Sequence, residues 1–102
     1  MRIAISIRPD VGGSVRELLE RRLGYALARH AGRLRSVTAL LERGVDSVGL
    51  AVIVVPRGGA PFHLREESRD PGIALDRAAR RLQRALRLRY GAPADERSHL
   101  AS

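Results

Sequence analysis

DPGIALDRAARRLQRALRLRY, residues 70–90, is the stretch from which the rest of the chain is read. Asp70 suits an N-cap, and Pro71 suits the first helical position, where its missing N–H is not needed. Gly91 and Pro93 follow as stop signals. On a 3.6-residue wheel Ala74, Leu75, Ala78, Ala79, Leu82, Ala85 and Leu86 share one side, which predicts a helix docked by that side on a core. Arg77, Arg80, Arg81, Arg84 and Arg87 fall within about a third of the circumference elsewhere. No acid follows Asp76 within the helix. Solvated helices usually mix signs, and like charges at i, i+4 repel. A one-sign stripe fits an anion lying against it; the plainer alternative is a charged face turned to water.

Upstream, the apolar periods alternate between two and 3.6. Residues 2–8, RIAISIR, alternate and predict a strand with Ile3, Ile5 and Ile7 on one face. A loop at 9–13 leads to Ser14-x-x-Glu17, which has capping-box spacing. The helix it opens is expected over 15–31, burying Val15, Leu18, Leu19, Leu23, Ala26, Leu27 and Ala31 and ending at a Gly32 cap. Gly24 within it suggests close packing. Strands are expected over 34–43, 47–55 and 62–68, separated by turns at 44–46 and 56–61. The third, SVGLAVIVV, is apolar on both faces and reads as central. The fourth, FHLREES, turns Phe62 and Leu64 inward and is polar enough for an edge. Together these give an α+β fold, two layers in the order β-α-β-β-β-α, with a four-stranded sheet and both helices on one face. One domain is expected over 1–91 and a short polar tail over 92–102.

Composition narrows the chemistry. The 102 residues carry 19 basic and 11 acidic side chains, a net charge of +8, and all 19 basic residues are arginine. A GC-rich coding sequence accounts for arginine over lysine, but not for the excess of charge. Arginine gives planar, bidentate contacts to phosphate. Cysteine is absent, which excludes disulfides, thiolate metal sites and a thiol nucleophile. The apolar run at the N-terminus is too short for a signal peptide or a membrane span, so a cytoplasmic protein with no membrane partner is expected. His30, His63 and His99 are scattered, with His30 on the apolar side of helix one as a core or helix-end residue. His63 shares a strand with Glu66 and Glu67, but no third ligand is evident, and the two acids read better as a strand end favouring the next helix. Gly12-Gly13 precedes a helix yet lacks the lysine and spacing of a phosphate loop. No catalytic residue, metal, cofactor or small-molecule substrate is expected.

The residues then fall into a familiar pattern. Met1-x-Ile3-x-Ile5-x-x-Arg8, Arg22-Leu23, Arg29-His30-Ala31-Gly32-Arg33-Leu34, Ser36-Val37, Leu41-Glu42, Ala74-Leu75-Asp76 and Arg81-Leu82-Gln83-Arg84-Ala85-Leu86-Arg87 come in order over about residues 1 to 90. In this the chain resembles the short ribosome hibernation factors, the ribosome-associated inhibitor or sigma-54 modulation proteins. Asp70-Pro71-Gly72, the Pro/Gly-rich turn at 56–61, the third and fourth strands and Arg80 depart from that pattern. The resemblance implies a fold like that of double-stranded-RNA-binding domains. It also implies binding to 16S rRNA of the small ribosomal subunit, in the channel between head and body, where the mRNA and tRNA sites are occluded. Longer members add a C-terminal domain that pairs ribosomes, which a chain of this length is not expected to carry.

On this reading the rRNA-binding residues are Arg77, Arg80, Arg81, Arg84, Arg87 and Arg89 of the second helix. Arg22, Arg29 and Arg33 join them along one edge of the first helix, at i, i+7 and i+11. These last three serve equally well as helix C-terminal charges. Tyr25, Phe62 and Tyr90 are too few for a stacking platform, so recognition by phosphate and shape is expected. A monomer off the ribosome is expected. Two other readings share the residues: a general RNA-binding regulator of the same fold, and a module that meets an acidic protein.

Overall fold

The computed structural model describes residues 2–7 and 13–91. Its elements are β1 (Arg2–Ile7), α1 (Gly13–Leu27), a 3-10 helix (Ala28–Arg33), β2 (Leu34–Arg43), β3 (Val48–Pro56), β4 (Phe62–Ser68) and α2 (Pro71–Tyr90). The strands form one sheet in the order β1-β2-β3-β4. The first pair is parallel, with Ile3, Ile5 and Ile7 opposite Val37, Ala39 and Leu41. The other two pairs are antiparallel hairpins. The expected α+β order and the central and edge roles of β3 and β4 are present.

Strand alternation sorts the sheet into two faces. Val37, Ala39 and Leu41 of β2 line up with Val54, Val52 and Leu50 of β3, and these with Phe62, Leu64 and Glu66 of β4. Apart from Phe62 and Glu66, which are half-buried, these residues are buried. Over this face α2 packs across β3 and β4, while α1 lies against α2 and β1. Leu19, Leu23 and Leu27 of α1 and Leu75, Leu82 and Leu86 of α2 complete the core. The opposite face carries Thr38, Ala51, Ile53 and Val55, with Ile53 exposed. None of the described helices covers it.

Local chemistry sets the ends of α2. The Gly72 N–H donates to Asp70 Oδ1 at 2.8 Å, and Asp70 has the extended backbone of an N-cap. At the other end Gly91 adopts φ 80°, and its N–H donates to the Arg87 carbonyl at 2.7 Å. A positive φ is open to glycine at little steric cost.

The first helix differs from expectation in four ways. It opens at Gly13, so Ser14 lies inside the first turn. It also stops being α-helical at Leu27 and tightens into the 3-10 helix. Gly32 is not a left-handed cap: the described glycines with positive φ are Gly59 and Gly91. Instead Leu34 is already extended, its N–H bonded to the Ala31 carbonyl, and the chain runs directly into β2. Lastly, a Cβ placed on Gly24 meets nothing within 4 Å, so no close packing requires glycine there. The Ser14 side chain, most of the loop at 9–13, Arg8, and the tail over 92–102 with His99 lie outside the described residues.

Candidate nucleic-acid interface

On α2 the spacing of Arg80, Gln83, Arg84 and Arg87 puts them in one row along the flank that faces α1. From the opposite side come Tyr25 and Ala26 at the end of α1 and Ala28, Arg29 and His30 from the 3-10 helix. Together they line an open cleft of about 440 Å³. Four arginines from two elements thus line one depression. Of the continuous surface expected if the edge of Arg22, Arg29 and Arg33 adjoins the Arg77–Arg87 stripe, the cleft contains Arg29, Arg80, Arg84 and Arg87. Such a concentration of one sign raises the local positive potential and draws phosphate.

His30 forms part of the cleft wall while being only 8% exposed. Burial first, then the charges of Arg33, Arg87 and Arg29, lower its pKa from the usual 6.5. At neutral pH it is therefore an uncharged wall residue, buried at the end of the first helix as the core or helix-end reading has it. Its ring lies 6.0 Å from that of Tyr90.

The remaining predicted arginines lie outside the cleft lining. In 3-10 winding, residues i and i+3 fall on the same side, and each residue turns about 120° rather than 100°. His30 and Arg33 are such a pair. Arg33 consequently leaves the line of Arg29 and stacks over Tyr90, its guanidinium carbon 5.1 Å from the ring centroid. Arg22 reaches across the helices to Asp76 at 3.4 Å, and Arg80 meets the same carboxylate at 3.4 Å. These pairs are exposed and hold their arginines weakly, at below about 1 kcal/mol each. Arg77 is exposed on the outward side of α2.

Arg81 and Arg89 tie the fold together. Arg81 Nη1 donates to the Arg65 carbonyl at 2.8 Å and to Glu66 Oε1 at 3.1 Å, joining α2 to β4. Arg89 Nη2 donates to the Ala60 carbonyl at 2.9 Å and lies 5.0 Å over the Phe62 ring, closing the β3–β4 turn onto the end of α2. Glu66 and Glu67 do not act together as an acidic strand end. Alternation sends Glu66 to the helix side, and Glu67 to the open face, where it pairs with Arg65 at 2.9 Å. Both structural roles had a signal in the sequence. Glu66 is in phase with Phe62 and Leu64, and Arg89 continues the Leu75–Leu82 row by another seven residues.

Among the described residues no three of His, Asp and Glu come together as a metal site requires, and no described helix is long and apolar enough to cross a membrane. Phe62 and Tyr90 are half-buried against the core, whereas Tyr25 is 77% exposed, so no aromatic platform forms among them.

No family model matches this sequence, and neither does any curated protein. Solved structures do match. A ribosomal subunit interface protein from Coxiella burnetii superposes with a TM-score of 0.73 at 17% identity, over 90% of this chain and 100% of the other. The N-terminal domain of Protein Y from Thermus thermophilus superposes with a TM-score of 0.71 at 24% identity, over 84% of this chain and 96% of the other. The likeness extends over nearly the whole of each and establishes the fold that the resemblance implied.

Proposed function

We propose that this protein is a ribosome-binding factor of the hibernation type. It docks on the small subunit through the cleft between α1 and α2, with Arg29, Arg80, Arg84 and Arg87 on phosphates of 16S rRNA and Arg77 extending the contact. The observation that carries this reading is the convergence of those four arginines from two elements. The fold is shared with a protein named for the ribosomal subunit interface, which supports the choice of partner. Arg22 and Arg33 flank the contact, while Arg81 and Arg89 serve it by holding α2 in place. The factor acts by occupying space in the mRNA and tRNA channel rather than by catalysis. It works in the cytoplasm, as a monomer until it meets the subunit.

Phosphate contacts release counterions, so binding should weaken steeply with salt. Cosedimentation with isolated small subunits at low and moderate salt is the test. The wild type is expected to pellet with subunits at low salt, and the Arg80→Glu, Arg84→Glu double variant to stay in the supernatant. Wild-type protein that never pellets, or a double variant that binds as well as wild type, refutes the reading. Equal affinity for free duplex RNA would favour a general RNA-binding protein. A salt-insensitive complex with a protein, and none with RNA, would favour the interaction module.

A further inference from the structure

Tyr25 is the one aromatic side chain among the described residues that the fold does not use. Phe62 lies under Arg89, and Tyr90 under Arg33 beside His30. Tyr25 by contrast is 77% exposed, yet it stands in the wall of the cationic cleft together with Gln83. An exposed phenol ring contributes nothing to the core and turns apolar surface to water. Beside a group of guanidiniums it completes a different set: a flat ring for stacking, an amide with both donor and acceptor, and cations for phosphate. One nucleotide carries the complementary set, namely a base face, a base edge and a phosphate. The cleft volume of about 440 Å³ falls in the range of sites that hold one ligand of about nucleotide size.

We propose that the cleft receives a single unpaired nucleotide of RNA, its base stacked on Tyr25 with its edge toward Gln83, and its phosphate held by Arg80, Arg84 and Arg87. This rests on the RNA reading above and adds to it a preference for single-stranded over paired RNA. A paired base is stacked within its helix and cannot present a face to Tyr25, whereas a base in a loop or at a strand end can be splayed out onto it. Every base has such a face, so the preference is for strandedness and not for sequence.

The test uses the full chain and two fluorescently labelled probes of equal length, an oligoadenylate and a blunt RNA duplex, titrated by anisotropy. Stacking of one base on an aromatic ring corresponds to about a 5- to 150-fold change in affinity. Tyr25→Leu is expected to lose that much on the oligoadenylate and less than about twofold on the duplex, and Tyr25→Phe to keep wild-type affinity for both. Arg84→Gln should weaken both probes. Because Tyr25 is exposed, the melting temperature of each variant should match wild type. Wild type that binds neither probe overturns the RNA reading itself. Wild type that binds, with Tyr25→Leu indifferent or equally impaired on both probes, overturns the stacked nucleotide alone. Adenosine monophosphate displacing the oligoadenylate at the oligonucleotide's own affinity would also overturn it, since the ligand would then be a free nucleotide and not RNA.

Discussion

Replacing Arg81 by Gln should loosen the domain and spare RNA binding, whereas replacing Arg84 by Gln, three residues on, should do the reverse. Arg81 makes two hydrogen bonds to β4, one to the Arg65 carbonyl and one to Glu66. The Glu66 carboxylate is 18% exposed, lying on the helix-covered face opposite Leu50, and the variant would leave it without this cation. A net hydrogen bond contributes about 1 kcal/mol. With Arg81 itself half-exposed, the charged contact is discounted toward the surface value. The expected loss is about 1–2 kcal/mol, which lowers Tm by roughly 5–15 °C for a domain of this size. Arg84 makes no ion pair among the described residues, and a surface change of this kind stays within about 0.5 kcal/mol. Its effect should show in RNA binding instead. Each phosphate contact contributes roughly 0.7 to the slope of log affinity against log salt for single strands and roughly 0.9 for duplex. Arg84→Gln should flatten that slope by about one contact, and Arg81→Gln should leave it unchanged. Thermal melts followed by circular dichroism and salt-dependent anisotropy titrations read the two effects separately. A wild-type Tm for Arg81→Gln with a flattened slope would show that Arg81 faces RNA and that the β4 tie contributes little.

Three further substitutions probe the core, the first helix and the buried imidazole. Leu82 is fully buried between α2 and the sheet, so Leu82→Ala should destabilise by about 2–5 kcal/mol in chemical denaturation; a loss under about 1 would mean the core closes over the gap. Gly24→Ala should stabilise by up to about 1 kcal/mol, since a Cβ there meets nothing within 4 Å, and a lowered Tm would show the position to be tighter than its geometry. His30 has a folded pKa below its unfolded 6.5, so the unfolded chain binds more protons in the interval between the two values. Stability present above pH 6.5 is therefore lost as pH falls from 6.5 toward the folded value, and His30→Gln should flatten the decline of Tm in that interval. An unchanged pH profile in that variant would assign the decline to other groups.

What the sequence revealed and what it hid divide along physical lines. The limits of β2, β4 and α2 were legible because each is marked by local chemistry: alternation with a glycine-bearing turn after β2 and before β4, and a capping aspartate and a terminal glycine for α2. Local signals do not record where a helix tightens. The change at Ala28 comes just ahead of β2, which pairs with both β1 and β3, and nothing in Ala28–Arg33 announces it. That hidden change moved Arg33 off the expected edge. The wheel likewise placed Arg81 on the outer stripe because it shows angle and not partner, and Glu66 belongs to another element. Arg80, Arg84 and Arg87 were legible as a row. Their meeting with Arg29 and Tyr25 required knowing which flanks of the two helices adjoin.

The single parallel pair in the sheet bears on how the chain reaches this state. β2, β3 and β4 are joined by short turns, and α2 follows at once, so most of the sheet and its covering helix close through small loops. Arg2, by contrast, finds its partner at Ser36, beyond the whole of α1 and the 3-10 helix. Contacts at that separation return free energy only after a long closure entropy has been met. On this ground the meander with α2 is expected to form before β1 joins it. On a ribosome, which makes β1 first, the earliest strand to emerge must wait for its neighbour. In the native state it is the strand expected to open most readily, which faster amide exchange in β1 than in β3 would register.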